Sequence, residues 1–366
     1  MRKILVVLIL IFALTLPVSA EGLYSEFYEA SGMNEVYENT PEAVTDFFKE
    51  YELDPTSPDF ASDLGAQNLF SILFSYLRTG ADLIIGSVCA NFAIILLWAL
   101  YSCFAENKKY GIDTAFIVVL ILNMCGPIIS LITATGAAIK SGGMFMLSFV
   151  PVFFGVTAAT GAVQTAATSG MTLLLACEVT VQIIAFAVIP VASAQLALSV
   201  SGTLSDISPA HKLALSLKKA STYLLTLTFT IFLGLLSVQT TIGAAADTLS
   251  LKTTKFVVGS FVPVAGTALS ETISTLHSSI KILQNGIGVY GIAVTLITVL
   301  PTAAALLSWR LTLFLSKTAA DMFGLPVAAK LVSAVDDTLS MLLGVLLFVS
   351  ALFIISLSLV LKVGGI

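Results

Sequence analysis

From about residue 81 to its end, the chain consists of long apolar stretches separated by short polar clusters, with little of the strict alternation that marks a half-buried strand. Five stretches are long enough for a helix to cross a bilayer: about 81–105, 112–139, 171–199, 221–243 and 338–362. A sixth, about 287–308, is interrupted by Pro301, whose ring removes a helix hydrogen bond. Roughly 20 apolar residues cover the hydrocarbon core as a helix, and a helix satisfies its own backbone groups where there is no water. The pattern predicts an all-α, polytopic helical membrane protein with a membrane domain over 81–366.

Two more apolar stretches differ from these six. Each carries a proline and then runs into Gly, Ala, Thr and Ser. Ser148-Phe149-Val150-Pro151-Val152 recurs as Ser260-Phe261-Val262-Pro263-Val264. After each copy come a small-residue stretch, a membrane span, an amphipathic cationic stretch and a second span. This shared order predicts an internal repeat with units about 144–243 and 256–362. Proline breaks the helix ladder, and a broken backbone at membrane depth has to be buried in protein or face water. The modules around Phe149, Pro151, Phe261 and Pro263 are therefore expected as proline-broken segments that either re-enter or cross the membrane.

The placement of lysine and arginine bears on that choice. Re-entrance gathers eight bases on one side (Lys108, Lys109, Lys212, Lys218, Lys219, Arg310, Lys317 and Lys330) and leaves Lys140, Lys252, Lys255 and Lys281 on the other. Full crossing evens the split to seven and five. Cytoplasmic loops carry the excess of Lys and Arg, which favours re-entrance. Lys212, Lys218, Lys219, Arg310, Lys317 and Lys330 then belong to cytoplasmic cationic helices.

Ahead of the membrane domain, residues 1–20 read as a signal peptide: Arg2 and Lys3, an apolar run from Ile4 to Leu16, and the small-residue end Val18-Ser19-Ala20. Residues 21–80 follow as an acidic extracytoplasmic segment. Between 21 and 63 lie twelve of the 22 acids and one base, Lys49. Thr40 is placed to cap a helix starting at Pro41 and closing at Asp54-Pro55. On it Val44, Phe47, Phe48 and Tyr51 share one face. Acidic flanks suit anionic lipid poorly, so this aromatic stripe is expected to meet protein, either a partner or the chain's own membrane body.

Composition sharpens the picture. The chain is 57% hydrophobic and 11% charged, against about 25% charged in a soluble domain, so lipid is its principal solvent. The net charge of -5 combines the acidic segment with a mildly basic body, which argues against nucleic acid as a partner. Within the spans Glu178 stands out, with Gln182 one turn later on the same face. An ionised carboxylate at the bilayer centre costs about 2.5–3.5 kcal/mol on insertion scales, so Glu178 is expected to face the bundle interior or a water path, or to stay protonated. Proton or cation coupling, pore lining and a structural hydrogen bond between helices are the readings left open.

Chemistry-bearing motifs are missing. The sequence has no phosphate-binding GxxxxGK[ST] loop, no HExxH and no dinucleotide turn. Cys89, Cys103, Cys125 and Cys177 lack metal or redox spacing and read as small buried apolar residues, while His211 and His277 stand apart from them. No catalytic residue, metal site or cofactor is expected, and the chain reads as non-enzymatic.

The run Thr253-Thr254-Lys255-Phe256-Val257-Val258-Gly259-Ser260-Phe261-Val262-Pro263-Val264, taken with the signal, the acidic segment and the repeated modules, resembles the stage III sporulation protein AE family of endospore-forming Firmicutes. The resemblance covers roughly residues 40–366. It implies a multi-pass subunit of a channel or secretion-like complex joining mother cell and forespore, placed in the mother-cell-derived outer forespore membrane. It also implies partners: the other stage III sporulation AA to AH subunits, including the ATPase-like AA subunit, and indirectly forespore protein Q. No catalytic residue comes with it. The expected role is a platform or conduit in that complex. The residues alone also admit a stand-alone secondary transporter or channel, with a site between the two broken modules, or a pure scaffold.

Overall fold

The computed structural model describes residues 28–55, 57, 60, 66–104, 110–204, 208–261 and 266–363, with helix positions alone over 66–84, 110–111, 204, 208–209, 211, 251–261, 266–277, 279 and 362–363. The signal peptide expected over 1–20 and the second-module residue Pro263 lie outside the described residues, as does the side chain of Phe261. Two short helices, α1 (Met33–Glu38) and α2 (Glu42–Glu50), precede the long ones. These are α3 (Ala66–Phe104), α4 (Tyr110–Ala159), α5 (Val163–Ile183), α6 (Ile189–Leu204), α7 (Ser208–Phe261), α8 (Gly266–Met322) and α9 (Pro326–Val363). A π-helical turn, Ile184–Val188, joins α5 to α6 without a loop. No strand occurs among the described residues.

Among the described residues, six helical segments are long and apolar enough to cross a membrane: Ile85–Phe104, Ile112–Ala159, Val163–Thr203, Lys212–Ser250, Ile280–Met322 and Pro326–Leu361. The second has 48 residues, about 72 Å at 1.5 Å per residue, more than twice the ~30 Å of hydrocarbon. Hence the building unit is a rod that outreaches the bilayer, and the amphipathic cationic stretches are the ends of these rods rather than separate elements.

Side-chain pairs set the direction of each rod. Asn91 meets Asn123 and Trp98 meets Asp113, so α3 and α4 run antiparallel. Gly143 against Val181 and Gly136 against Ile189 do the same for α4 and α5–α6. Ser169 on Thr240 and Gln164 on Asp247 orient α7 against α5, and Arg310 on Asp336 with Gly288 against Leu361 orients α9 against α8. The consequence is an up-and-down bundle. One end gathers the α3–α4, α6–α7 and α8–α9 termini, and the other gathers the α4–α5 and α7–α8 termini.

That end assignment reproduces the uneven charge split anticipated for re-entrance, but by a different route. Ser148–Val152 sits inside the uninterrupted α4, which carries both Pro127 and Pro151, and α8 likewise passes straight through Pro301. A proline in a long packed helix forfeits one hydrogen bond, and the flanking turns and neighbouring helices hold the rod together. The first module is therefore not broken. The chain reverses eight residues beyond it, at Thr160–Ala162, where Gly161 takes φ 85°. In the second module Phe261 is the last residue of α7. The first copy is thus an uninterrupted helix, and the second passes out of the described residues after Phe261, so the expected repeat is not matched as two broken elements among the described residues.

Turn chemistry accounts for the other reversal. After α8, the Leu325 N–H bonds the Ala320 carbonyl and the Gly324 N–H that of Asp321, with Gly324 at φ 69°. This is the Schellman arrangement, and Pro326 then opens α9 at the position where its missing N–H is harmless. If Pro151 lies in a continuous rod, Pro151→Ala should leave thermal unfolding in detergent unchanged or raise it, because proline is disfavoured inside a helix relative to alanine. Gly161→Val, forced into a left-handed backbone, should cost about 1–2 kcal/mol. A lower midpoint for Pro151→Ala would show that the proline maintains a break.

Candidate functional site

At the end of the bundle where α4 turns into α5, the acidic segment is seated on the rods. Val44, Phe47 and Phe48 of the stripe expected from spacing are buried and its fourth member, Tyr51, is partly buried, while Met33 and Val36 of α1 are buried beside them. They dock on the chain's own body. Phe48 packs on Phe60 and Tyr290, and Tyr290 continues to Phe145, which stacks with Phe149 and then Phe153. Rings stacked this way bury large apolar areas with defined geometry. Phe149 of the first module is thus a floor for the acidic helices, and Gly291 leaves it room: a Cβ there would lie 2.4 Å from the Phe149 ring.

One polar contact locks this seat. The Thr40 hydroxyl donates to the Val36 carbonyl at 2.9 Å, so its single proton is spoken for. The buried Tyr290 hydroxyl, 2.6 Å away, must then donate to Thr40 Oγ1. Thr40 does not cap the next helix, as its position had suggested: Pro41 is the N-cap residue of α2 and no side chain caps it. The helix also closes earlier than Asp54-Pro55, at Glu50, with Glu52 at φ 51° and the Leu53 N–H on the Phe48 carbonyl. Glu29, Glu35, Glu38, Glu42, Asp46 and Glu50 are left exposed on the outer surface. This end of the molecule is an acidic cap.

A polar seam joins α5 to α7 below the cap. Asp247, 7% exposed, accepts the backbone N–H groups of Gln164 and Thr165 through its two oxygens, both at 2.9 Å. A carboxylate on one rod therefore satisfies two of the N–H groups that a helix start leaves free. Ser169 bonds Thr240, and Thr172 donates to Gln239. Gly243 lies so close to Thr165 that a Cβ would come within 2.8 Å of its backbone. Sequence reading passed over Asp247, although an acid inside Gly-Ala-Ala-Ala-Asp-Thr carries the same signal as Glu178: a buried acid needs donors.

The opposite end is cationic. Lys218 bonds Asp337 at 2.7 Å, tying α7 to α9, and Arg310 grips Asp336 with Nε and Nη2 at 2.8 and 3.3 Å, tying α8 to α9. Those two cations are internally partnered by acids that sequence reading did not assign to them. Lys212, Lys219, Lys317 and Lys330 stay exposed around the same end, so four of the six expected cations face outward.

Glu178 departs from expectation. It is exposed on the outer face of α5, and its Oε1 accepts the Gln182 side-chain amide at 2.9 Å. It does not point into the bundle. The expected burial of all four cysteines also fails: Cys177 is buried, but Cys89 and Cys103 lie on the outer surface, where lipid accepts a small apolar side chain as readily as a core does. Among the described residues no cluster of His, Cys, Asp and Glu is placed to hold a metal ion.

Residues 51–364 match the family model for stage III sporulation protein AE. The protein named "Stage III sporulation protein AE" of Bacillus subtilis (strain 168) is 26% identical over 303 residues, covering 81% of this chain and 75% of that relative. No solved structure matches.

Two substitutions test the contacts described above. Tyr290→Phe keeps the ring and removes the hydroxyl bond, so it should cost about 0.5–1.5 kcal/mol and speed proteolysis of the acidic helices. Asp247→Ala strands two backbone donors and should cost about 1.5–3 kcal/mol, read as a lower unfolding midpoint in detergent. An unchanged midpoint for Asp247→Ala would remove the capping account.

Proposed function

Because the chain belongs to the stage III sporulation protein AE family, we propose that it serves as a non-enzymatic multi-pass platform or conduit in the secretion-like complex between mother cell and forespore. The observation that carries this reading is the polarity of the bundle: an acidic cap of docked helices at one end, and the exposed Lys212, Lys219, Lys317 and Lys330 at the other. By the positive-inside rule the cationic end faces the mother-cell cytoplasm. The acidic cap then projects into the space between the two membranes, in a protein resident in the outer forespore membrane.

In this layout residues 1–20 direct export, 21–80 build the cap and 81–366 form the membrane body. Phe149 belongs to the seat of the cap, while Pro151 is exposed on the outer side of the continuous α4. The cationic end is the docking face for the ATPase-like AA subunit. The cap is the side from which the complex builds toward the forespore through the remaining AA to AH subunits and protein Q. A stand-alone transporter would need broken modules meeting near the midplane and an inward carboxyl. Pro151 lies in a continuous helix and Glu178 faces outward, so no observation favours that reading.

Orientation is open to direct measurement. In a cysteine-free background, Lys218→Cys should react with an impermeant thiol reagent only from the cytoplasmic side, and Lys252→Cys only from the outside. The reverse pattern would invert the proposal. Reversing the four exposed lysines to glutamate should reduce co-purification of the AA subunit about tenfold, equivalent to roughly 1.4 kcal/mol. Undiminished co-purification would move the docking face elsewhere.

A further inference from the structure

We propose that the bundle holds an internal water site between α6 and α9, with the Gln195 carboxamide and the Thr338 hydroxyl as its ligands. The proposal stands on buried polar atoms and does not depend on the sporulation reading.

The inner face of α6 carries the first ligand. Ala192, Gln195, Leu196 and Ser199 are buried there, whereas Pro190, Ser193, Ala194 and Ala197 face outward. Gln195 is therefore a carboxamide in the core, 1% exposed, and neither its Nε2 nor its Oε1 has a hydrogen-bond partner among the described residues. The second ligand stands on α9, which packs on α4, α5, α6, α7 and α8. Thr338 is fully enclosed there. Threonines of the neighbouring α8 such as Thr295, Thr298 and Thr312 spend their hydroxyl on the carbonyl four residues back. The Thr338 hydroxyl is unpartnered among the described residues.

Register brings the two together. Thr172 with Gln239 and Lys218 with Asp337 set the relative heights of α5–α6, α7 and α9. Counting along the rods from those contacts places Gln195 within about one helical turn of Thr338, on its cationic-end side. Side chains on a helix lean toward its N-terminus. Because α6 runs toward the cationic end and α9 away from it, Gln195 and Thr338 lean toward each other.

Hydrogen-bonding capacity selects the occupant. A carboxamide offers two N–H groups and an acceptor oxygen, and a hydroxyl offers one O–H and an acceptor. A cation would suit the oxygens and leave Nε2 unused, while an anion would find the cations of this height, Lys218 and Arg310, already bonded to Asp337 and Asp336. Water both donates and accepts, and a buried water needs two to four polar partners. Nε2, Oε1 and the Thr338 Oγ1 supply them, and the water relieves the cost of burying all three unpaired.

The test uses the purified full chain in detergent. X-ray pulses turn water into hydroxyl radicals where it rests, and each radical oxidises the side chains beside it. Val335, one turn before Thr338, and Val294 on α8 are both buried; the expected result is at least fivefold more oxidation at Val335. Gln195→Met and Thr338→Val should each lower the unfolding midpoint by about 2 °C or more, because each leaves the water short of a partner. Together they should lose less than the sum of the two and bring Val335 down to the level of Val294. Equal oxidation of the two valines in the unaltered chain, a single variant that unfolds no lower, or strictly additive losses would each overturn the proposal.

Discussion

Lipid tails and leucine side chains are nearly the same solvent, so apolar burial alone does not decide which rod packs against which in a chain that is 57% hydrophobic. Polar contacts between rods make that decision. Lys218 with Asp337, Arg310 with Asp336, Asp247 on the start of α5, and Asn91 with Asn123 each join one height on one helix to one height on another. Slipping the buried Asp247 or Asn91 by a turn would strand a charge or a polar group in an apolar surrounding, while slipping the partly exposed ion pairs would separate their charges. Glycines at Gly143, Gly243 and Gly291 add steric pins, because each sits where a Cβ would collide with the facing rod.

The same principle links the membrane body to its cap. Tyr290 stands on α8, Phe145 and Phe149 on α4, and Thr40 and Phe48 on the acidic segment, so one small cluster joins three parts of the chain. Hydrophobic rings supply the area there, and the Tyr290–Thr40 bond supplies orientation. The acids of the segment take no part in that contact. They remain on the outside, and the bundle is left with chemically distinct ends, which is the physical basis of any directional role.

Much of this was legible in the sequence where the cause is local. The 3.6-residue spacing of Val44, Phe47 and Phe48 announced a buried stripe, and the apolar runs announced rods, whereas the helix stop and start carried by Gly324 and Pro326 was passed over. The reading of Pro151 failed because proline's local cost was weighed without the neighbours that hold a long helix straight. Thr40 looked like a cap because its true partner, Tyr290, lies 250 residues away, and no local rule reaches that far. Glu178 was sent inward on the cost of an ionised carboxylate in lipid, yet it stands on the outer face with Gln182 as its donor. Asp336 and Asp337 were visible as acids, yet only the packing of α7, α8 and α9 shows which cation each one serves.

The claim that polar pairs set the register of the rods is tested most directly by exchanging one pair. Lys218→Asp and Asp337→Lys are made singly and together, and the unfolding midpoint of the purified chain is measured. The account predicts a loss in each single variant, where two like charges face each other across α7 and α9, and recovery of at least half of that loss in the double exchange. Two harmless single variants, or a double exchange no better than the sum of both, would contradict it.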